Sequence, residues 1–432
     1  MKKIFQYIIL AVVTIVMASC TSDIEETTAT TGKNNIQLVV GEFPAFGDSQ
    51  TRAIGTPDPG KTSWAEGDEL LLEMTSKTLG TKYATFKYNG SSWELASGEL
   101  SYKEDEVPTF PHVYYAPNYK WEAGELVLKE GKVAGTDEYI EGTAEITPNG
   151  QGINVSFAKA TRNYSRLRIA TMPNKPITVA ISTYTPAGSS DMKWDQNYAL
   201  TSDEKGNAYL YGTFENNSEV TVKYREAALT THTFSQATES AKSYALDATV
   251  ISANSAEEIK SAIEQKVADG KTYINLMLAP DVDEETLDAI HIGLLEGDAR
   301  DGTINLTLIG CKKIPSGGFM YWKMLKSIAL PDVTEIAEKA FLDCTRLQKV
   351  VLGNLTKVYG KAGEKGIFEG CRTKDIDLVL SKDQKVMNGG ETEGGYCWTA
   401  DITKDYSGSD EHNGRVFLDY DFQSITCGYP VP

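Results

Sequence analysis

The residue types that most often carry catalysis are scattered along this chain. Its histidines lie in separate segments with no zinc-site spacing: His112, His232, His291 and His412. The sequence has neither a G-x-S-x-G nucleophile motif nor a phosphate-binding G-x-x-x-x-G-K-[ST] loop. A hydrolase would need carboxylates clustered in a cleft, and no spacing in the sequence indicates such a cluster. We therefore predict no enzymatic activity and no cofactor.

One acidic stretch could suggest a calcium site. Asp281, Asp283 and Glu285 alternate along the chain, and carboxylates are the ligands that Ca²⁺ prefers. The same residues stand at the predicted start of a helix, where acidic side chains interact favourably with the helix dipole. We interpret them as helix-start residues and predict no metal site.

The six cysteines divide into Cys20 and five later residues, Cys311, Cys344, Cys371, Cys397 and Cys427. An odd number leaves at least one thiol free or bonded to another chain. Cys344 and Cys371 hold equivalent places in a repeat and are interpreted as core residues. Cys397 and Cys427 flank the C-terminal tail and are a candidate disulfide, since an exported protein can form one.

The N-terminus carries a targeting segment. Lys2 and Lys3 precede a short apolar run, which is below the ~20 residues of a membrane span. The stretch Val16-Met17-Ala18-Ser19-Cys20 resembles a bacterial lipobox. That resemblance implies cleavage before Cys20 and lipidation of that residue, so the mature chain would be anchored in the outer membrane by lipid. The acidic run that follows Cys20 resembles the surface-export signal of Bacteroidetes lipoproteins.

Length and charge limit the remaining possibilities. At ~100–200 residues per domain, a chain of 432 residues is expected to form two to four domains. The formal net charge of -18 argues against nucleic acid and anionic lipid surfaces as partners.

Two consecutive stretches have the pattern of all-β domains. Short alternating segments such as Ile36 to Val40 and Tyr83 to Tyr88 are separated by Gly, Pro and Asn, and Asn89-Gly90 is a hairpin signal. A second such block begins near Gly152 with alternating Ile153, Val155 and Phe157.

Short motifs in these blocks resemble the fimbrillin-like proteins of Bacteroidetes, which are related to type V pili. The motifs include Thr51-Arg52-Ala53, Trp64-Ala65-Glu66-Gly67-Asp68 and Val113-Tyr114-Tyr115-Ala116-Pro117. The resemblance covers about residues 36–250 and implies two tandem β-sandwich domains of transthyretin-like topology. It also implies possible proteolytic processing at Arg52, after which a donor strand from another subunit would fill the vacated groove. A plain loop arginine is the alternative interpretation of Arg52.

A 22-residue period organises the C-terminal part. Leu308, Leu330 and Leu352 are 22 residues apart, and Phe319 and Phe341 follow the same spacing. Such a period with an L-x-x-I-x-L core is typical of a leucine-rich repeat solenoid, in which stacked rows share one core. The row from Leu325 to Cys344 resembles the repeat of BspA-like cell-surface proteins. Two helices, beginning near Ser255 and Asp283, are predicted to precede the rows.

The predicted fold is therefore multidomain and mainly β, with two tandem β-sandwich domains followed by a short α/β leucine-rich repeat solenoid. The predicted segments are a signal peptide (1–19), a flexible tether (20–34), a first sandwich (35–150), a second sandwich (151–252), a helical cap with repeats (253–385) and a C-terminal cap (386–432).

The repeat strands suggest a binding face. Leucines of an L-x-x-I-x-L strand point inward, so the intervening residues point outward on the sheet that solenoids commonly use for contact. The candidate face comprises Asn305, Thr307, Lys326, Ser327, Ala329, Gln348, Lys349, Val351, Asp375 and Asp377.

These features predict a cell-surface, lipid-anchored adhesin whose repeat domain stands on a β-sandwich stalk. Its expected partners are host or bacterial surface proteins, matrix or glycans. The alternative is a pilus tip or anchor subunit that contacts other pilus subunits by donor-strand exchange after cleavage near Arg52.

Overall fold

The structure is a computed structural model that describes residues 27–29, 36–44, 46, 60–103, 106–147, 152–358, 366–381, 391–392, 395–396, 416–418 and 420–429. Three large sheets and several small ones account for most of this part of the chain. The predicted mainly β, multidomain class is confirmed at this level.

The first unit is an eight-stranded sheet with a separate hairpin. Its strands, in chain order, are β1 (Thr27–Ala29), β2 (Ile36–Val40), β3 (Glu69–Ser76), β4 (Gly80–Tyr88), β5 (Trp93–Gly98), β6 (Thr109–Tyr115), β7 (Tyr119–Glu122), β8 (Glu125–Leu128), β9 (Ile140–Ile146) and β10 (Gly152–Thr161). The sheet order is β1-β2-β10-β9-β6-β3-β4-β5, and β7 pairs with β8 alone. Ile36 and Trp93, from strands near opposite ends of this order, belong to one core, so the sheet curls around it.

Two boundaries differ from those predicted. Strand β10 lies in the first sheet, where it pairs with β9 and, in parallel, with β2, so the first unit continues through Thr161 and not to residue 150. Its alternating Ile153, Val155 and Phe157 indicated a half-buried strand but could not indicate which sheet it joins. The predicted tether also contains a strand, because β1 pairs with β2 through Thr27 and Leu38.

The second unit is a seven-stranded sheet. Its strands are β11 (Ser165–Ala170), β12 (Pro176–Pro186), β13 (Lys193–Thr201), β14 (Asn207–Phe214), β15 (Glu219–Tyr224), β16 (Ala227–Thr233) and β17 (Ser243–Asp247). The main order is β16-β15-β12-β14-β11-β17, and β13 pairs with β12. Alternating apolar residues of β12, including Val179 and Ile181, enter a core with Phe214 of β14.

The third unit contains two helices, which alternate with its first strands, and a parallel sheet. Its elements are β18 (Ile251–Ser252), α1 (Ala256–Ala268), β19 (Tyr273–Met277), α2 (Glu284–Glu296), β20 (Ile304–Ile309), β21 (Lys313–Ile314), β22 (Leu325–Leu330), β23 (Glu335–Ile336), β24 (Lys349–Leu352), β25 (Lys357–Val358) and β26 (Asp377–Ser381). A 3₁₀ turn spans Thr373–Asp375.

Both helices begin where the sequence predicts. The Ser255 hydroxyl accepts a hydrogen bond from the Glu258 N–H at the start of α1, and the Asp283 carboxylate accepts one from the Thr286 N–H at the start of α2. These side chains satisfy backbone donors that have no partner within the helix.

The parallel sheet has the order β18-β19-β20-β22-β24-β26-β31. Its last strand, β31, is Ser424–Tyr429, and short strands β27 (Glu391–Thr392), β28 (Gly395–Tyr396), β29 (Val416–Phe417) and β30 (Tyr420–Asp421) precede it. Successive rows are in register at the 22-residue spacing, since Ser327 pairs with Lys349 and Leu330 with Leu352. Phe417 and Phe422 pack on the core at the β26–β31 end of the sheet.

Candidate binding face of the parallel sheet

The outward residues of the parallel sheet form two columns with different environments. The first, called here the polar column, consists of Asn305, Ser327, Lys349 and Asp377, which are paired from strand to strand. All four are partly exposed. The Ser327 hydroxyl donates to the Asn305 side-chain oxygen over 2.7 Å, and the Ser424 hydroxyl donates to the Asp377 carboxylate over 2.5 Å.

The second column is buried. Thr307, Ala329 and Val351 occupy the next outward register positions, and their exposed fractions are 1%, 6% and 3%. Ala227, at the start of β16, joins Ala329, Val351 and Val379 in one apolar cluster. The prediction that the outward ladder is open to a ligand is therefore wrong for Thr307, Ala329 and Val351, because the second unit covers them.

Polar contacts fix this cover in place. The Arg225 guanidinium donates to the Asp332 carboxylate over 2.6 Å and to the Pro331 carbonyl over 3.0 Å. The other Asp332 oxygen accepts from the Gly310 N–H. Buried Asn275 on β19 donates to the Leu229 carbonyl of β16. The β15–β16 turn thus binds the parallel sheet through an ion pair, a buried amide and an apolar contact.

This junction was missed because Arg225 and Asp332 are far apart in the sequence and neither lies in a motif. One signal was present: an outward column of Ala329, Val351 and Val379 has little polarity for a solvated face. An apolar outward column indicates that another surface packs on it.

The three remaining residues of the predicted face are Lys326, Gln348 and Asp375, and all are exposed. With the polar column they present amide, hydroxyl, ammonium and carboxylate groups. Lys326 lies on β22, Gln348 directly precedes β24, and Asp375 ends the 3₁₀ turn before β26. Adjacent rows of a sheet lie ~4.8 Å apart, so the paired residues of the polar column form a ladder of donors and acceptors for an extended partner.

The other candidate site residues do not join this face. Cys20, Arg52, Cys397 and His412 lie outside the described residues, as does the Cys427 side chain, so the candidate disulfide is not described. Cys311, Cys344 and Cys371 are free thiols. Burial raises the pKa of the Cys311 thiol to about 12, and a hydrogen bond with Cys371, together with burial, raises the pKa of the Cys344 thiol. The Cys311 and Cys344 thiols are therefore poor nucleophiles.

The described histidines are far apart in the fold. His112 pairs with Glu141 over 2.9 Å in the first unit, His232 contacts Phe234 in the second, and His291 stacks on Trp322 in the third. Asp283 caps α2, as its position at a helix start indicated. Within the described ranges, no three His, Cys, Asp or Glu side chains are grouped as a metal site would require.

No protein-family model matches the chain, and no curated protein matches it. Among the described helices, none has the length and apolar character needed to span a membrane.

Proposed function

We propose that this protein is a lipid-anchored adhesin of the bacterial cell surface that uses the exposed part of the parallel sheet to bind a partner. The polar column and its exposed neighbours Lys326, Gln348 and Asp375 carry the proposal. In this proposal the first two units are fimbrillin-like sandwiches that serve as a stalk, and the third is a BspA-like leucine-rich repeat. Cys20 is the site of lipid attachment, and the outer membrane is the location.

The rigid junction supports this proposal. The β15–β16 turn holds the parallel sheet through the Arg225–Asp332 pair, so the polar column has a fixed orientation relative to the second unit. A fixed face loses less conformational freedom on binding than a mobile one. The partners expected on such a face are surface proteins, matrix proteins or glycans.

The test is binding of the mature chain to arrays of matrix proteins and glycans. Lys326→Glu reverses an exposed charge on the face, and Lys205→Glu makes the same change at an exposed turn of the second unit. We expect Lys326→Glu to weaken binding to any captured partner at least tenfold, which is about 1.4 kcal/mol, and Lys205→Glu to leave it unchanged. Equal affinities of the two variants would refute the use of this face.

A pilus tip or anchor subunit is the second candidate, and the position of β2 favours it. This strand lies next to β10, with Ile36 and Leu38 buried in the core, and Phe43 and Phe46 are buried soon after it. Cleavage at Arg52 would free this apolar segment, and its removal would leave β10 with an open edge for a donor strand.

This candidate predicts heat-resistant, strand-exchanged oligomers after treatment with an arginine-specific protease. Arg52→Ala should prevent cleavage and assembly. Normal assembly of that variant would count against the pilus function and would leave the adhesin proposal standing.

A further inference from the structure

A cleft lies between the first and second units, away from the parallel sheet. Its volume is about 310 Å³, within the range of small-molecule sites. The first unit contributes Tyr139 and Glu141, the segment between the units contributes Asn163, and the second unit contributes Thr185, Ser190 and Thr213. The remaining lining residues are Tyr164, Pro186, Ala187, Gly188 and Ser189, so the cleft combines two aromatic side chains, a carboxylate, an amide, several hydroxyls and apolar groups.

The aromatic side of the cleft extends over the surface of the first unit. The Tyr139 ring centroid lies 5.5 Å from that of Tyr114, and the Tyr114 centroid lies 6.3 Å from that of Trp121. Tyr83 continues the row, 4.6 Å from Trp121. These four rings are only partly buried, so a row of aromatic surface leads out of the cleft.

The polar side holds groups that can bind hydroxyls. Glu141 is about half exposed and pairs with His112, whose ring stacks on Tyr114. Asn163 and Ser190 are exposed at the rim. Carboxylate oxygens accept hydrogen bonds, whereas an amide and a hydroxyl both donate and accept, so the rim matches a ligand rich in hydroxyl groups.

A buried hydrogen-bond network includes two of the residues that line the cleft, Tyr139 and Tyr164. The Arg162 guanidinium and the Tyr164 hydroxyl both donate to the Glu138 carboxylate, and the Tyr164 oxygen accepts from the Tyr139 N–H. Gly188, with a φ of 78°, lies against Tyr139, where an added Cβ would come within 2.5 Å of the ring. The network therefore fixes the Tyr139 backbone, and the close approach of Gly188 restricts the ring.

We propose that this cleft binds a neutral oligosaccharide, with one sugar ring packed on Tyr139 and its hydroxyls bound to Glu141 and Asn163. The apolar face of a pyranose fits an aromatic ring, and its edge supplies the donors and acceptors that the rim requires. The Glu141 carboxylate and the net charge of -18 disfavour sulfated or carboxylated sugars.

The experiment titrates the full mature chain by calorimetry with neutral tetrasaccharides of glucose, galactose, mannose and N-acetylglucosamine, and with a heparin tetrasaccharide. We expect at least one neutral tetrasaccharide to bind with a Kd below about 1 mM, and the heparin fragment to bind more weakly. Absence of binding by every neutral tetrasaccharide, or stronger binding of the heparin fragment, would overturn the proposal.

Variants locate the site. Asn163→Ala and Tyr139→Leu should each weaken binding at least tenfold, whereas Asn154→Ala, at an exposed position on β10 outside the cleft, should not change it. Because Tyr139 is partly buried, the thermal transition of Tyr139→Leu is measured as well. If Tyr139→Leu does not fold, the affinity of Asn163→Ala alone tests the site. Unchanged affinity in Asn163→Ala would place any bound sugar elsewhere. Lys326→Glu should leave this binding intact, so the result is independent of the parallel-sheet face.

Discussion

His291 shows how one side chain can couple this fold to pH. Its ring stacks on Trp322 with centroids 4.7 Å apart and planes 11° apart, and it is about half-buried. Burial lowers the pKa of His291 below its ordinary 6.5, although the nearby Asp288 carboxylate acts in the opposite direction. The neutral imidazole is therefore favoured in the folded state.

This shift predicts a loss of stability on acidification. A group with a lowered folded-state pKa contributes stability that is fully present above pH 6.5 and is lost as the pH falls through the folded-state value. We expect the free energy of unfolding of the third unit to fall as the pH is lowered below 6.5, and His291→Gln to reduce that fall.

An NMR titration of the His291 ring checks the cause directly. Its pKa should lie below 6.5 in the native chain and move towards that value in Trp322→Leu, which removes the stacked ring. A native value at or above 6.5 would contradict the prediction.

At the scale of elements, the repeated phenylalanines hold the rows of the parallel sheet together. Phe319, Phe341 and Phe368 are fully buried and stack at centroid distances of 5.4 and 5.1 Å along the rows. Because Phe341 contacts a ring on each side, we expect Phe341→Ala to destabilise the third unit by about 3–5 kcal/mol and Phe341→Leu by less.

The measurement follows the urea transition that hydrogen exchange assigns to β22 and β24, since a chain of several units need not unfold in one step. Trp194→Ala is the control, because that ring is 65% exposed on β13 and should change stability by less than about 0.5 kcal/mol. Similar midpoints for Phe341→Ala and Trp194→Ala would show that the stack contributes little.

The apolar pattern of the sequence predicted an element well where that pattern also determines which element packs beside it. The 22-residue spacing of Leu308, Leu330 and Leu352 indicated stacked rows, because each row can bury its leucine only on an equivalent neighbour. The alternating apolar residues of β10 indicated which face of the strand is buried, but not which sheet the strand joins. The strand was therefore predicted in the second unit, whereas it lies in the sheet of the first. The covered column of Ala329 and Val351 depends on a turn more than 100 residues earlier, which no local pattern records.

At the scale of the whole molecule, the junction between the second and third units holds these two units together. Its ion pair is nearly buried, with side-chain exposures of 13% for Arg225 and 10% for Asp332. Arg225→Ala leaves the Asp332 carboxylate with fewer donors in a region of low exposure, and a hydrogen bond to a charged group contributes about 1.5–3 kcal/mol. Ala227→Asp would place a carboxylate against Ala329, Val351 and Val379, whose apolar side chains cannot donate a hydrogen bond to it.

We therefore expect the double variant Arg225→Ala/Ala227→Asp to separate the β15–β16 turn from the parallel sheet without unfolding either unit. Backbone hydrogen exchange should become faster in β15, in β16 and in the strands of the parallel sheet that they cover. Proteolysis should begin at the β15–β16 turn. Lys223→Ala is the matched control, because the Lys223 ammonium pairs with Glu226 in the same hairpin. Exchange in the double variant equal to that in Lys223→Ala would mean that the units are held together elsewhere. If exchange does become faster, Thr307, Ala329 and Val351 become accessible to a partner. The affinity of the double variant for a partner then measures whether covering these residues restricts binding to the parallel sheet.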